Sequence, residues 1–392
     1  MKIGLIREQK KPFDKRVCLS PQQCKDLIER YKVKIFVQPS PHRCFDDIDY
    51  NKHGCFLKED LKECDLLLGI KEVPVSCLIP NKKYMFFSHT IKKQEYNRDL
   101  LKNLISQNIT MIDYEVIKNK GKRMIGFGRF AGIVGAYNAF LGYGLKSKNF
   151  KIKRAFELRT FDAICSELSK VDLNNEKILV TGNGKVARGA MEILDFLKIK
   201  KVNKYDYLNN NFNYPTYCNI DISDYYERKN NGVFNKQEFY KKPSLYNCKL
   251  KDFIKNPSIF IAGHFHNPEA GILLNNKDFI NSQLKVVSDI SCDIGFIACT
   301  LRESTISDPI YGYDPLQNTE VDYSIDDSLL VVAVSNLPCE LPIDSSIDFG
   351  RIFVDKVFPL FLKNNDSITN ATICKNNRLT DKYIYLEDFL LG

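Results

Sequence analysis

The chain has 392 residues, of which 44% are hydrophobic and 27% are charged, and its formal net charge is +9. This hydrophobic fraction excludes an intrinsically disordered chain, and the length favours two domains. No segment approaches the roughly 18 apolar residues of a membrane span, and the basic residues form no recognisable nucleic-acid-binding motif. We therefore expect neither a membrane nor a nucleic acid as a partner.

The N-terminal residues predict a first β-strand, Lys2–Ile6, rather than a signal peptide, because Arg7 and Glu8 follow it directly. Thirteen cysteines are spread along the chain without a Cys-x-x-Cys pair, and the five histidines also lack the spacing of metal ligands. We expect a cytoplasmic protein with reduced cysteines and no bound metal.

Strands alternate with helical segments in the N-terminal part. Ser20 and Pro21 predict the start of a helix, as its N-cap and first-turn residue. Further strands are predicted at Lys34–Val37, Leu66–Ile70, Tyr84–Ser88 and Thr110–Tyr114. This alternation predicts an α/β fold with a doubly wound parallel sheet.

Three of these strands are followed by reactive side chains, Lys71, His89 and Glu115. The carboxyl ends of strands border the ligand crevice in open α/β sheets, so we expect all three side chains on one sheet edge. Lys71 is the candidate general base, because a desolvated lysine near other cations loses its proton more easily. His89 is the second acid–base candidate. Glu115 is expected to hold one of them in the right charge state.

Three cations are candidates for binding substrate carboxylates: Arg16, Lys92 and Arg123. A guanidinium grips a carboxylate with two parallel hydrogen bonds, although an ordinary surface charge is the alternative for either arginine. We also expect these cations to supply the positive setting that favours deprotonation of Lys71.

The middle of the chain predicts a second alternation. A glycine-rich helix is expected within Gly126–Gly144, and an amphipathic helix at Lys153–Lys170. The strands of this alternation are predicted at Lys177–Thr181, Val202–Tyr205, Ser258–Ala262, Lys285–Ile290 and Leu329–Val334. The polar, tyrosine-rich stretch between Asn209 and Lys255 is predicted to be a surface insertion with short helices.

A capping-box variant at Ser345–Asp348 predicts a helix that runs through Val357 and is kinked or ended by Pro359. We expect this helix to return the chain to the first domain. The predicted domains are residues 1–127 plus 346–392, and residues 128–345.

A Gly-x-Gly-x-x-Ala turn at Gly182, Gly184 and Ala187 follows a predicted strand and precedes a helix. Such a turn lets the backbone approach a pyrophosphate at the helix N-terminus, so Lys185 and Val186 are included among the expected cofactor-binding residues. Asp206, 24 residues after Gly182, is interpreted as the carboxylate at a strand end that binds the ribose of NAD. We predict NAD as the cofactor with NADP as a possibility; a structural turn without nucleotide is the alternative.

His264 and His266 follow a strand of the nucleotide domain, and His264 is predicted to border the cofactor. A metal is not expected there, because no third ligand is evident nearby.

Several segments together resemble the group of saccharopine dehydrogenase (lysine-forming) and lysine–ketoglutarate reductase, which is related to alanine dehydrogenase and the transhydrogenase nucleotide domains. The segments are Arg7-Glu8, Arg16-Val17-Cys18-Leu19-Ser20-Pro21, Gly69-Ile70-Lys71-Glu72-Val73-Pro74, Phe87-Ser88-His89-Thr90-Ile91-Lys92, Asp113-Tyr114-Glu115, Phe127-Gly128-Arg129-Phe130-Ala131-Gly132, Asp289-Ile290-Ser291-Cys292-Asp293 and Asn336-Leu337-Pro338-Cys339-Glu340-Leu341-Pro342. Within them, Asp289, Asn336 and Leu337 are expected near the cofactor. Ser335 departs from the pattern, because the lysine-forming enzymes carry an acid there.

The resemblance implies two Rossmann-like domains with the active site in the cleft between them. It implies that Lys71 and His89 are an acid–base pair beside Glu115, and that Arg16 and Arg123 bind the substrate. The implied reaction is NAD-dependent cleavage of saccharopine to lysine and 2-oxoglutarate by a monomer or small homo-oligomer. Three alternatives stay open: an NADPH-dependent saccharopine-forming reductase, an alanine-type amino-acid dehydrogenase that acts on a primary amine, and a non-enzymatic nucleotide sensor.

Overall fold

A computed structural model of the chain describes residues 1–11 and 13–391, without the side chain of Asn231. The chain divides into two units: Met1–Phe127 with the chain from Pro342 onward, and Gly128–Leu341. Each unit is built on an eight-stranded, mostly parallel β-sheet. The predicted α/β class with two Rossmann-like sheets is therefore confirmed.

The N-terminal part of the first unit alternates strands and helices as predicted. Its elements are β1 (Lys2–Leu5), α1 (Pro21–Tyr31), β2 (Lys34–Val37), α2 (Asp47–Lys52), β3 (Phe56–Leu57), β4 (Leu66–Leu68), β5 (Lys83–Phe86), α3 (Arg98–Ser106), β6 (Thr110–Asp113), β7 (Lys118–Asn119) and β8 (Lys122–Arg123). Ser20 caps α1 as predicted, because its Oγ accepts the Gln23 N–H while the Gln23 side chain accepts the Ser20 N–H.

The second unit opens with a long helix and continues as a βα alternation. Its elements are α4 (Gly128–Ser147), α5 (Ala155–Leu158), α6 (Phe161–Leu168), β9 (Lys177–Thr181), α7 (Lys185–Phe196), β10 (Lys200–Lys201), α8 (Lys204–Asn209), β11 (Thr216–Ile220), α9 (Ile222–Tyr225), β12 (Tyr226–Arg228), α10 (Lys236–Lys241), β13 (Tyr246–Cys248), β14 (Ile259–Ala262), α11 (Asn276–Ile280), β15 (Val286–Asp289), β16 (Ile310–Asp314), β17 (Thr319–Val321) and β18 (Leu329–Val332). Gly132 of α4 lies against the backbone of α7, where a Cβ would be 2.7 Å from the Ala190 nitrogen. This close approach of the two helix backbones requires a glycine at position 132.

The chain then returns to the first unit. Its last elements are α12 (Pro342–Ile352), α13 (Phe358–Leu362), α14 (Asp366–Thr369), β19 (Thr372–Lys375), β20 (Arg378–Leu379) and α15 (Glu387–Leu391). The helix starts at Pro342, three residues before the predicted cap, because a proline suits the first helical turn. Ser345 is therefore not an N-cap. Pro359 does not end the helix either: a π-helical turn at Phe353–Val357 precedes it, and Pro359 falls in the first turn of α13.

The first sheet has the strand order β20-β19-β6-β5-β4-β1-β2-β3. The strands from β1 to β6 run parallel, and β19 pairs antiparallel with β6. The carboxyl ends of β6, β5, β4 and β1 are therefore four neighbours on one sheet edge. Apolar clusters cover the strands of this sheet and fix their alignment.

The second sheet has the order β10-β11-β9-β14-β15-β18-β16-β17, with only β16 and β17 antiparallel to their neighbours. The strand predicted at Val202–Tyr205 is wrong, since β10 ends at Lys201 and Asn203 caps α8 by accepting the Asp206 N–H. The predicted surface insertion is also wrong in part. It contains β11, which lies between β10 and β9 in the sheet.

The single amphipathic helix predicted at Lys153–Lys170 is two helices, α5 and α6. Arg159 takes a left-handed backbone conformation with φ +64° and ends α5, and the Thr160 side chain then caps α6. In residues 1–11 and 13–391, no helix combines the length and apolar character needed to cross a membrane.

Candidate functional site

Side chains at the carboxyl edge of the first sheet are joined across neighbouring strands by hydrogen bonds. We call this set the strand-end row. Its members, from the β1 side to the β6 side, are Glu8, Lys71, Glu72, His89, Asp113 and Glu115. The structure therefore brings the three predicted catalytic residues to one edge and adds three acids that the sequence argument had not used.

Glu8, beyond β1, holds the backbone that carries Lys71. Its carboxylate accepts the N–H groups of Ile70 at 2.6 Å and of Lys71 at 2.9 Å. Desolvation and the neighbouring Asp14 raise the pKa of Glu8 to about 8, although those two backbone donors act to lower it. The turn after β4 is thus fixed to the end of β1.

Glu72 and His89 join the ends of β4 and β5. His89 Nδ1 lies 2.6 Å from Glu72 Oε1, and Lys10 Nζ contacts the other carboxylate oxygen at 3.0 Å. Burial acts to raise the pKa of Glu72, but the bond to His89 and its other hydrogen bonds outweigh burial and lower it to about 2. An anionic partner at Nδ1 selects the tautomer that carries its proton there, which leaves the Nε2 lone pair available. Glu72 was not among the predicted site residues, although it directly follows Lys71 in the Lys-Glu-Val-Pro motif.

Asp113 joins the ends of β5 and β6. Its carboxylate accepts the Ser88 N–H and hydroxyl at 3.0 and 2.6 Å, and the Glu115 N–H at 2.7 Å. Asp113 is fully buried, and burial raises its pKa. Next to Ser88, His89 takes a left-handed backbone conformation with φ +53°. This unusual conformation is typical of functional positions that the surrounding structure holds in place.

Glu115 faces two of the predicted substrate-binding cations. Its Oε1 lies 3.6 Å from Lys92 Nζ and 3.9 Å from an Arg123 nitrogen, and both distances are long for an ion pair. Its Oε2 is buried without a hydrogen-bond partner in the described part of the chain. Arg123 is held by its own Nε bond to Ile125 O and stacks over Phe87. The loose pairing leaves cationic donors for a substrate carboxylate.

One edge of the Arg16 guanidinium is paired with Asp14. Its Nε and a terminal nitrogen bind the two oxygens of Asp14 at 3.0 and 2.6 Å, and its guanidinium stacks on Phe127 at 4.1 Å. Burial acts to raise the pKa of Asp14, but Arg16 outweighs it and lowers the pKa to about 2, with help from the charge of Lys71. Arg16, Lys92 and Arg123 each face a carboxylate, and the positive setting expected for Lys71 stays a prediction.

The glycine-rich turn of the second unit has the backbone that a dinucleotide requires. Gly182 has φ +99°, and a Cβ there would lie 2.7 Å from Gly263 O. At Gly184, the N-cap residue of α7, a Cβ would meet nothing within 4 Å. Ala187 is fully buried against the strand end. The open backbone at this helix N-terminus fits a pyrophosphate.

The other predicted cofactor residues differ in their surroundings. His264 Nδ1 lies 2.6 Å from Thr181 Oγ1, its Nε2 is buried without a partner in the described chain, and burial lowers its pKa to about 4. Asp289 is buried and already accepts bonds from Ser291 and Thr300. Leu337 belongs to the apolar core, and Asn336 begins the short helical turn that contains it.

Asp206 is not at a strand end. It lies in α8, and its carboxylate accepts hydrogen bonds from the side chains of Asn203 and Asn210. In residues 1–11 and 13–391, no group of three or more His, Cys, Asp or Glu side chains is arranged to hold a metal ion.

The chain is similar in sequence to several known proteins. Residues 4–134 match the family model described as alanine dehydrogenase/PNT, N-terminal domain. Over 98% of its length the chain is 29% identical to mitochondrial alpha-aminoadipic semialdehyde synthase of Bos taurus, of which it covers 47%. Over 88% of its length it is 26% identical to saccharopine dehydrogenase [NAD(+), L-lysine-forming] of Candida glabrata, of which it covers 88%.

Solved structures share the fold. L-alanine dehydrogenase matches 100% of this chain and 99% of its own with a TM-score of 0.67 at 15% identity. Transhydrogenase from Sinorhizobium meliloti matches 96% of this chain and 98% of its own with a TM-score of 0.61, also at 15% identity. The resemblance drawn from the sequence motifs is confirmed: the chain is related to saccharopine dehydrogenases and alpha-aminoadipic semialdehyde synthases, and it spans about half the length of the latter.

Proposed function

We propose that the chain is a nicotinamide-dinucleotide-linked oxidoreductase that acts on the carbon–nitrogen bond of an amino acid, with saccharopine as the substrate. The observation that carries the proposal is the strand-end row, in which Lys71 and His89 are each held by a separate acid. Support also comes from the relatives, which include saccharopine dehydrogenases that use NAD(+) and form L-lysine.

The proposed reaction converts saccharopine, water and an oxidised dinucleotide into lysine, 2-oxoglutarate, a reduced dinucleotide and a proton. The dinucleotide, when bound, supplies the acceptor for the hydride that leaves the glutaryl carbon next to the secondary amine. Each of the other steps includes a proton transfer. The amine loses one before oxidation, water loses one as it adds to the imine, and the lysine amine gains one as the carbinolamine collapses.

Lys71 is the group that accepts the proton of the secondary amine. Glu8 fixes the Lys71 backbone through two hydrogen bonds, which limits the positions that Nζ can reach. The charge of Lys71 contributes to the lowered pKa of Asp14, so the two side chains lie close enough to interact.

His89 is the group that activates water and returns the proton. Glu72 holds Nδ1 and stabilises the imidazolium that forms when Nε2 takes a proton from water. Because the pKa of Glu72 is about 2, this carboxylate is ionised throughout the neutral range. Lys92 and Arg123 are the donors for the substrate carboxylates.

The same groups serve the reverse reaction, in which lysine and 2-oxoglutarate condense and are reduced, because each proton transfer retraces its path. The match to a semialdehyde synthase over 98% of this chain is the reason to test that direction as well. The closing experiment is one spectrophotometric screen. It measures reduction of NAD and NADP with saccharopine or alanine, and oxidation of NADH and NADPH with lysine plus 2-oxoglutarate. Turnover with the saccharopine pair supports the proposal. Turnover with alanine only favours an alanine-type dehydrogenase, and dinucleotide binding without any turnover favours a nucleotide sensor.

A further inference from the structure

We infer that Asp221, directly after β11, is the residue that selects the dinucleotide, and that it favours NAD(H) over NADP(H). The inference rests on the proposed function to the extent that the glycine-rich turn binds a nicotinamide dinucleotide. It concerns the adenosine ribose, whose 2′ position carries a hydroxyl in NAD and a phosphate in NADP.

Strand order places Asp221 beside the turn. In a dinucleotide-binding sheet, the ribose is contacted by the strand that neighbours the strand leading into the glycine-rich turn. Here β9 leads into that turn, and its neighbour on the ribose side is β11 rather than β10. The first residue after β11 is Asp221.

Two hydrogen bonds fix the end of β11 to the turn itself. The Gly182 N–H donates to Ile220 O at 2.8 Å, and Asn219 Nδ2 donates to Gly182 O at 2.8 Å. Asn219 Nδ2 also contacts Val180 O at 3.3 Å. Asp221 is therefore the residue next to the one that pairs with Gly182.

The Asp221 carboxylate is partly exposed at the end of β11. Its side chain is 27% exposed and contacts Lys236 Nζ at 3.2 Å, while Lys204 is paired with Asp224 at 2.8 Å. A carboxylate accepts hydrogen bonds from ribose hydroxyls and repels a 2′-phosphate. Two lysines nearby offer the opposite preference. Lys204 is paired with Asp224 and Lys236 is paired with Asp221 itself, so the test also includes Lys236→Ala.

Asp206 provides a matched control. It is also a partly exposed acid close in sequence to the turn, but it sits beyond the edge strand β10 and its carboxylate is bound to Asn203 and Asn210. Replacing Asp206 with a neutral residue should leave the preference between NADH and NADPH unchanged.

The test is direct binding of NADH and of NADPH to the full chain, followed by cofactor fluorescence, without turnover. Thermal melts establish that each variant is folded. We expect the wild type to bind NADH more tightly than NADPH. In Asp221→Ser the ratio of the two dissociation constants should fall by about 10- to 100-fold, the value of hydrogen bonds to a charged group. Asp221→Asn, the milder change, should shift the ratio in the same direction, whereas Asp206→Asn should leave it within about twofold.

Several results overturn the inference. One is an Asp221→Ser ratio equal to that of the wild type. Another is tighter NADPH binding by the wild type that Lys236→Ala abolishes, which would make Lys236 the phosphate ligand. If both dinucleotides bind without dependence on Asp221, only this inference fails. If neither binds, the proposed function fails as well.

Discussion

The two units present their functional groups in different ways. In the first unit the strand-end row consists of side chains, and all its members except Glu115 are joined by a hydrogen bond to the end of a neighbouring strand. In the second unit the glycine-rich turn works through bare backbone, and what matters at Gly182 and Gly184 is that no side chain is present. The glycine-rich turn and the strand-end groups Lys71 and His89 each follow from a local motif, whereas the acids that support those groups and the strand beside the turn depend on which strands are neighbours. The predictions below test this contrast, from the largest expected effect to the smallest.

Removing either acid–base group should have the largest effect. Lys71→Met and His89→Gln should each lower turnover with saccharopine by roughly 10²- to 10⁴-fold, the usual contribution of general acid–base catalysis. Dinucleotide affinity should barely change, because the glycine-rich turn is in the other unit. Steady-state kinetics together with NADH fluorescence titration check both parts. A large loss of NADH affinity in either variant would contradict the assignment of acid–base chemistry to the first unit and dinucleotide binding to the second.

The buried Asp14–Arg16 pair should dominate stability in the first unit. Asp14→Asn leaves a guanidinium that is only 4% exposed without its anion, so the free energy of unfolding should fall by about 3 kcal/mol. The matched control is Glu29→Gln, which removes an exposed pair with Lys25 and should change stability by less than about 0.5 kcal/mol.

The same pair predicts a pH dependence. The pKa of Asp14 is lowered from 3.8 to about 2, so its stabilising effect is complete above the unfolded value and is lost as the pH falls from about 4 to about 2. The difference in stability between wild type and Asp14→Asn should shrink over that interval. A difference that stays constant down to about pH 2 would show that folding does not lower the pKa of Asp14. Denaturant titrations at several pH values provide the measurement.

Substitutions at Gly182 and Gly184 should have different effects, the first on folding stability and the second on dinucleotide binding. Gly182→Ala introduces a Cβ 2.7 Å from Gly263 O at φ +99°, so we expect stability to fall by about 2 kcal/mol or more. Gly184→Ala meets nothing within 4 Å and should cost less than about 1 kcal/mol, yet it should weaken NADH binding by occupying the space of the pyrophosphate. Unchanged NADH affinity in a folded Gly184→Ala variant would argue against pyrophosphate binding at the glycine-rich turn.

Glu72 should act as a positioning residue for His89. Glu72→Gln keeps an acceptor for Nδ1 but removes the anion, so we expect turnover to fall by about 10- to 100-fold with little change in KM. Because the pKa of Glu72 is about 2, the deficit should persist from about pH 5 to about pH 9. Partial recovery in Glu72→Asp, measured in the same assay, would distinguish this role from a purely structural one.

Much of the first unit could be predicted from the sequence. Lys71, His89 and Glu115 each follow an apolar run that forms a strand, and parallel strands carry such residues to one edge. Glu72 was missed because its partner is 17 residues away and only strand pairing brings the two together. Glu8 was missed as the support of Lys71 for the same reason.

The second unit was harder to predict, because strand order is not a local property. Asp206 has the usual spacing from Gly182, but Asn203 caps a helix there and the strand has already ended. The strand that does lie beside the turn, β11, is five residues long and sits in a polar stretch. Its buried Tyr217, Cys218 and Ile220 were the available signal.

Chemical rescue of Lys71→Met by added primary amines tests the central claim most directly. The assay follows reduction of NAD at saturating saccharopine while the concentration of methylamine is raised. The account predicts that the depressed rate rises with methylamine concentration, because a free amine takes the place of Nζ as the base, and that the wild-type rate does not respond. A Lys71→Met enzyme with near-normal turnover would contradict the account, because the strand-end lysine would then not be the group that takes the proton of the substrate amine.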